Sequence, residues 1–331
     1  MRIAIVGCGW TGSILASLLT EYGRVDVYER RPRPSTEGAW GIPTREFLRL
    51  SRRLGLNGEE YILWRGRRLY ARFVTETSLK LGNLCTFDKQ AFINDLVESS
   101  DARFHFSKQF RDYGYDVIID ATGRRAVLGK TGHEIIRAPY QVEAFFREPP
   151  YGDFYIDFSE PRAGGYLWMF PLGGHRFHVG CGAYDASYSR RKVREFLERH
   201  GGEILRVRTK PMRLCRPCLS RPFLMGRIIG VGESIGAVSR LGEGNLPSAE
   251  TALLLAENLQ SPQTYEREVS KMLRKLEHGY DLYDALEKQS LKAYAAMART
   301  FGELQDRMSL KPNLLTAINL TLWPITNINF L

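Results

Sequence analysis

Cysteine is scarce. Five in 331 residues, at Cys8, Cys85, Cys181, Cys215 and Cys218, are too few and too scattered for a secreted disulfide framework. Long apolar runs are missing as well: nothing approaches the ~20 residues a spanning helix needs. The run Ile3–Val6 is far too short for the core of a secretory signal. A cytosolic chain is expected. Low-complexity tracts and internal repeats are absent, and 44% hydrophobic with 25% charged residues excludes a disordered or collagen-like chain. The one C-x-x-C, Cys215–Arg216–Pro217–Cys218, has no second copy to complete a four-thiolate zinc site. Pro217 suggests an extended loop there rather than the helix start of a redox pair; a disulfide is the commonest alternative. No metal site is expected.

What is plentiful is positive charge. Lys and Arg number 47 against 37 Asp and Glu, a net +10, which favours anionic partners. The clusters Arg45, Arg49, Arg52, Arg53, Arg65, Arg67, Arg68, Arg72 and Arg190, Arg191, Lys192, Arg194 come without a zinc-finger or aromatic RNA-binding signature. They read as solvated faces, and no nucleic-acid partner is expected.

The first thirty residues carry the most information. Arg2–Val6 reads as a strand buried on both faces. Gly7-Cys8-Gly9-Trp10-Thr11-Gly12 follows, and then a helix over Ser13 to Glu21 with Ile14, Leu15, Leu18 and Leu19 on one side. A second strand, Val25–Tyr28, ends on Glu29. In this G-x-G-x-x-G, Gly7 allows the tight turn, Gly9 lets backbone approach a pyrophosphate, and Gly12 lets helix and sheet pack closely. The helix start offers unpaired N–H groups to phosphate. Glu29, 17 residues beyond Gly12, is placed to accept ribose hydroxyls and would repel a 2′-phosphate. FAD or NAD is therefore expected over NADP, with Arg30 and Arg31 softening that choice.

Two later strands choose between them. Tyr115–Asp120 runs into Ala121-Thr122-Gly123, and Arg227–Val231 runs into Gly232-Glu233. The latter leads through Gly236 and Gly242-Glu243-Gly244-Asn245 to a helix expected over Ser248–Leu259. With these segments in this order, the chain resembles the FAD-dependent oxidoreductases of the p-hydroxybenzoate-hydroxylase-like superfamily. Within it the resemblance is closest to the geranylgeranyl reductases, through Tyr166-Leu167-Trp168-Met169-Phe170-Pro171 and His178-Val179-Gly180-Cys181-Gly182. It covers residues 1 to about 260.

The resemblance implies a mixed α/β fold, with a Rossmann-type FAD-binding domain interleaved with an antiparallel substrate sheet and followed by C-terminal helices. It puts Gly7, Gly9, Thr11 and Gly12 at the pyrophosphate and Glu29 with Arg30 at the adenosine ribose, and it counts Thr122 and Gly123 among the cofactor-binding residues. Ala39, Trp40 and Gly41 would form a loop near the flavin, and Phe110 or a near neighbour would meet adenine through its backbone. Lys89, where the family usually has Arg, would reach back to the cofactor, and Glu233, Gly244 and Asn245 would meet its ribityl and ring ends. The departures are Glu233 for Asp, Arg240 near a usual proline, a loop to Gly242 one residue shorter, and Lys89 for Arg, which gives up a bidentate fork. Tyr166, Trp168 and Phe170 lie on one face of a strand, as ordinary core or as the wall of an apolar substrate site.

The implied activity is reduction of C=C bonds in a prenyl chain, with electrons from NAD(P)H or a redox protein. No proton donor stands out, and no second G-x-G-x-x-G marks an NAD(P)H domain. A monooxygenase, halogenase or cyclase of the same fold, and a non-catalytic dinucleotide binder, are the alternatives. The cofactor domain is expected over 1–45, 80–135 and 220–262, with a helix and basic hairpin over 46–79. A substrate domain at 136–219 is punctuated by Pro149-Pro150 and Pro161, and a helical region fills 263–331.

Three patterns read as decoys. Gly232-Glu233-Ser234-Ile235-Gly236 matches a hydrolase nucleophile elbow but lacks the following helix, and the acids Asp281 and Asp284 come after His278, against the usual order. His175 and His178 read as satisfied polar residues of a strand. Leu310–Leu331 is apolar but broken by Pro324, and is expected to dock on the protein, with the membrane interface, favoured by Trp323, as the alternative.

Overall fold

Arg2–Val6 is the central strand of a six-stranded sheet because Ile3, Ala4 and Ile5 are enclosed on both faces. The computed structural model describes residues 1–34, 37–160, 163–288 and 290–327. The strand order is Leu224–Met225, Ile228–Gly230, Val117–Asp120, Arg2–Val6, Arg24–Glu29, Arg103–Phe106. All neighbours run parallel except the terminal hairpin at Leu224–Met225. The first helix, Trp10–Leu19, begins three residues before the expected Ser13, so that Gly12 lies inside it. It packs between helices Lys89–Glu98 and Asn245–Glu257, the latter starting before the expected Ser248. Trp10, Phe47, Phe87 and Phe92 lock these elements together with ring centroids 4.5–6.0 Å apart. Phe87 and Phe92 are fully buried, each contributing roughly 2–3 kcal/mol.

A seven-stranded sheet forms the other half. Its order is Gly202–Val207, Tyr140–Phe146, Arg176–Gly182, Tyr166–Gly173, Phe154–Asp157, Arg68–Arg72, Glu76–Lys80. Only the pair Phe154–Asp157 and Arg68–Arg72 is parallel. The basic hairpin therefore belongs to this sheet, while the helix before it, Thr44–Arg53, does not. The period of two decides which side chains go where. Leu167 and Met169 face helix Ala186–His200 and meet Val193, Phe196 and Leu197, leaving Tyr166, Trp168 and Phe170 for the opposite face. That helix starts at Asp185, whose side chain accepts from Ser187 N–H, and stops at left-handed Gly201.

Helices Pro262–Leu273, Glu277–Glu287, Lys292–Met308 and Leu314–Asn327 complete the chain. The last one runs through Pro324, against the expected break; proline removes one rung of the hydrogen-bond ladder without ending the helix. Its inner face is polar: Asn319 Oδ1 accepts from Thr75 N–H at 2.8 Å, and Thr316 meets Thr77 at 3.0 Å. Trp323 is 2% exposed and donates to Phe158 O, so this residue belongs to the protein core and not to a membrane interface. Leu314, Leu315, Ile318 and Leu322 point outward. Among the described residues no helix is long and apolar enough to cross a membrane. Pro161, Ile328, Phe330 and Leu331 lie outside the described residues.

Candidate functional site

The glycine turn is built so tightly that side chains have no room. Gly7 has φ +105°, and a Cβ there would come within 2.6 Å of Ala121 O. A Cβ on Gly12 would lie 1.9 Å from Gly7 O. Gly9 caps the following helix without any side-chain acceptor, so the first-turn N–H groups stay available to an anion. Glu29 is fixed beside them: its two oxygens accept from Cys8 N–H and Arg31 N–H, each at 3.0 Å. Each oxygen keeps further acceptor capacity.

These groups open into a cavity of about 720 Å³. Gly7, Gly9, Thr11, Glu29, Arg30, Ala39, Gly41, Lys89, Phe110, Thr122, Gly123, Glu233, Gly244 and Asn245 all line it. So do Tyr166, Trp168 and Phe170, which puts the expected cofactor and substrate residues on one continuous wall. Two expected residues are not on that wall. Gly12 lies beneath the turn, as its packing role requires. Trp40 alternates with Ala39 and Gly41 and so turns the other way, meeting His178 edge-on at 4.8 Å between ring centroids.

Asn245 joins four segments. Its Oδ1 accepts from Lys89 Nζ at 2.9 Å, its Nδ2 donates to Ala39 O at 3.0 Å and Gly41 O at 2.9 Å, and its carbonyl accepts from Trp10 Nε1 at 2.6 Å. Lys89 is 6% exposed, and burial, aided by nearby Lys210, pulls its ammonium down to about 7. Glu233 accepts from Arg213 N–H at 2.7 Å and faces Lys210 at 3.5 Å. Glu233 is thus tied to the strand at Met212–Leu214. On the aromatic wall, Trp168 Nε1 donates to Gln141 Oε1 at 3.2 Å, and Gln141 in turn donates to Gly38 O at 3.2 Å. Tyr166 donates to Leu241 O at 2.7 Å.

Sequence reasoning missed Gln141, Arg137, Arg208 and Lys210, which also line the cavity. No motif announces them: Gln141 comes from the far sheet, Arg208 and Lys210 follow its strand Gly202–Val207, and Arg137 comes from a two-stranded pairing with Met212–Leu214.

His178 corrects an expectation. It is 0% exposed, and neither ring nitrogen has a hydrogen-bond partner, so it is buried but not satisfied. Burial holds its pKa down to about 3. His175 sits in the turn before the strand, at φ +62°, with Nδ1 near Phe146 O and Arg147 O. Ser234 donates to Asp120 O and Val231 O, and His278 pairs with Glu303, so no hydrolase triad forms. Cys215 and Cys218 are free thiols, and Pro217–Ser220 is a 3-10 turn where an extended loop was expected.

No family model matches the chain. Its structure superposes on a geranylgeranyl bacteriochlorophyll reductase-like protein of Thermoplasma acidophilum with TM-score 0.68 at 15% identity, covering 99% of this chain and 96% of that one. A probable FAD-dependent monooxygenase of Pseudomonas aeruginosa, PqsL, matches with TM-score 0.62 at 18% identity over 87% and 96% of the two chains. The fold is that of flavin-dependent oxidoreductases and monooxygenases. By sequence, the flavoenzyme-fold chain is 24% identical over 313 residues to an uncharacterized protein of Methanocaldococcus jannaschii, spanning 77% of this chain and 82% of that protein. It is also 31% identical over 123 residues to digeranylgeranylglycerophospholipid reductase 2 of Methanothermobacter thermautotrophicus, spanning 36% of this chain and 31% of that one.

Proposed function

We propose that the chain is an FAD-dependent oxidoreductase that reduces C=C bonds of a prenyl-type chain. The observation that carries this reading is the single cavity joining an uncapped helix start to an apolar aromatic wall. At one end the residues suit a dinucleotide: a turn with no space for side chains, free N–H groups, and Lys89 and Lys210 beside them. FAD, when bound, supplies the two-electron carrier. At the other end Tyr166, Trp168 and Phe170, joined by Ile156, Phe158 and Leu304, offer an apolar bed. These residues position the chain and exclude water. Trp168 is held by Gln141 and Tyr166 by the Leu241 carbonyl, so the bed is pre-set.

In this reading electrons come from outside the chain, from NAD(P)H or a redox protein. The outward face Leu314, Leu315, Ile318 and Leu322 supports peripheral contact with the membrane that stores such lipids. The partial likeness to a digeranylgeranylglycerophospholipid reductase supports the substrate class. The test is to identify the bound cofactor by absorbance and mass, reduce it without oxygen, and add prenyl lipids. Flavin reoxidation with a gain of two hydrogens per double bond supports the reading. Substrate-dependent oxygen uptake with oxygen in the product makes the chain a monooxygenase instead, and a protein that takes up no flavin overturns both.

A further inference from the structure

Arg137 and Arg240 are each 2% exposed, yet the protein gives them few partners. Arg137 ends the strand Ile135–Arg137, and Arg240 lies in the loop before helix Asn245–Glu257. Both guanidiniums stack on Tyr283 from helix Glu277–Glu287, at 5.5 and 4.9 Å from its ring centroid. Arg240 donates to Tyr184 and lies 3.5 Å from Glu287, a half-exposed carboxylate. Among the described residues Arg137 has no carboxylate partner, its Nε and Nη2 donate to no acceptor, and Arg240 Nη1 is likewise unpaired.

Burying a guanidinium without a counter-charge costs several kcal/mol, and the group stays protonated regardless. Stacking on a tyrosine returns only part of that cost. Two such cations facing one half-exposed carboxylate make a site short of an anion. Arg137 lines the cavity beside Tyr166 and Leu241, so the deficit lies next to the aromatic wall. The planar fork of arginine matches phosphate and carboxylate oxygens in pairs.

The geometry points to Arg137, backed by Arg240, as the anchor for an acidic head group, phosphate or carboxylate, on an amphiphile whose apolar chain lies along Tyr166, Trp168 and Phe170. This rests on the proposed substrate site and deepens it: the acid end sets which chain enters and how far. An apolar wall alone would take alcohols and hydrocarbons as readily.

Titration calorimetry on the full chain with farnesyl monophosphate, farnesoic acid and farnesol tests this without any redox step. Both acids are expected to bind at least ~10-fold more tightly than farnesol, as hydrogen bonds to charged groups imply. Arg137→Gln is expected to narrow that ratio below ~2-fold, with Arg137→Lys in between. Equal affinity for acid and alcohol in the unaltered protein overturns the assignment, and needs no variant to fold. A ratio that survives in a folded Arg137→Gln also overturns it. Inorganic phosphate binding as tightly as the phosphorylated amphiphile does so too, since the anion would then not belong to the chain-bearing ligand. Flavin absorbance is read separately on the same preparations. Acid preference without flavin leaves this site standing while the flavoenzyme reading fails, and flavin without acid preference does the reverse.

Discussion

The two ends of the cavity bury polar groups equally deeply but answer them differently. At the glycine-turn end, Asp120 is fully buried and accepts from Thr122, Val127 and Leu128 N–H at 2.9–3.1 Å. Arg125, just as buried, donates to the carbonyls of Gly129, Ser220, Pro222 and Ser234. At the aromatic end, Arg137, Arg240 and His178 are left with open donors or acceptors. A buried polar group stripped of partners costs ~1–3 kcal/mol, more if charged. Asp120 and Arg125 are thus answered within the scaffold, which keeps open backbone N–H groups and Glu29 oxygens, whereas beside the aromatic wall it is side-chain nitrogens that have no partner.

The largest effect is expected where the scaffold has no slack. Gly12→Ala sets a Cβ against the Gly7 carbonyl, both parts of fixed backbone. Overpacking of this kind costs ~3 kcal/mol or more. Thermal melts are expected to show that loss together with loss of bound dinucleotide. A variant of normal stability that still binds cofactor would mean the turn has slack, and the contrast between the two ends would weaken.

Lys89 stands at the border between them. Its folded pKa of about 7 lies below the ordinary lysine value of 10.5. Between those limits the unfolded chain binds a proton that the folded one does not, so stability of the cofactor-free protein rises with pH, by at most ~1.4 kcal/mol per unit. Below pH about 7 both states are protonated, and the penalty is at its full, constant size. Lys89→Met is expected to flatten this dependence and to stabilise the cofactor-free protein near neutrality, while weakening dinucleotide binding ~10-fold or more. Denaturant titrations from pH 7 to 10 check it; an unchanged slope in the variant would place the titrating group elsewhere.

What the sequence reveals follows the same division. Gly7, Gly9, Gly12 and Glu29 sit within one strand-turn-helix-strand unit, so spacing alone raises the expectation of a dinucleotide site there. Asn245 and Lys89 are legible only through the family resemblance; the helix expected from Ser248 in fact opens at Asn245. Trp40 was grouped with its neighbours, yet extended backbone alternates its faces and turns this ring away from the cavity that Ala39 and Gly41 line. Arg137, Gln141 and Arg240 acquire meaning only when three distant elements meet, and no window of sequence contains that meeting. Trp323 shows the same limit: its composition suits a membrane surface, but the socket formed with Phe73 and Phe158 is non-local.

A middle-sized effect tests whether the ends are separable. A Cβ on Gly180 would lie 2.3 Å from the Trp168 ring, so the glycine is what lets the indole lie flat on the sheet. Gly180→Val is expected to push Trp168 into the cavity and weaken binding of an apolar chain ~10-fold. Cofactor content should be unchanged, because no atom of the glycine turn is displaced. Parallel loss of cofactor would show that the two ends share one packing unit.

The smallest effect concerns His178, which faces Trp40 and, across the strand pair, Phe170. Its folded pKa of about 3 lies below the ordinary 6.5, under burial and the nearby cations Arg208, Lys89 and Arg176. As pH falls from 6.5 toward 3 the unfolded chain takes up a proton that the folded chain refuses, so stability drops on acidification. His178→Leu removes both that proton-binding group and two unanswered nitrogens. A gain of about 1 kcal/mol at pH 7 is expected, with a shallower loss in acid. Urea titrations at pH 7 and pH 5 read both. If the leucine variant is less stable at each pH and keeps the same acid slope, the imidazole has a partner in solution, and only the two arginines remain to distinguish the aromatic end from the glycine turn.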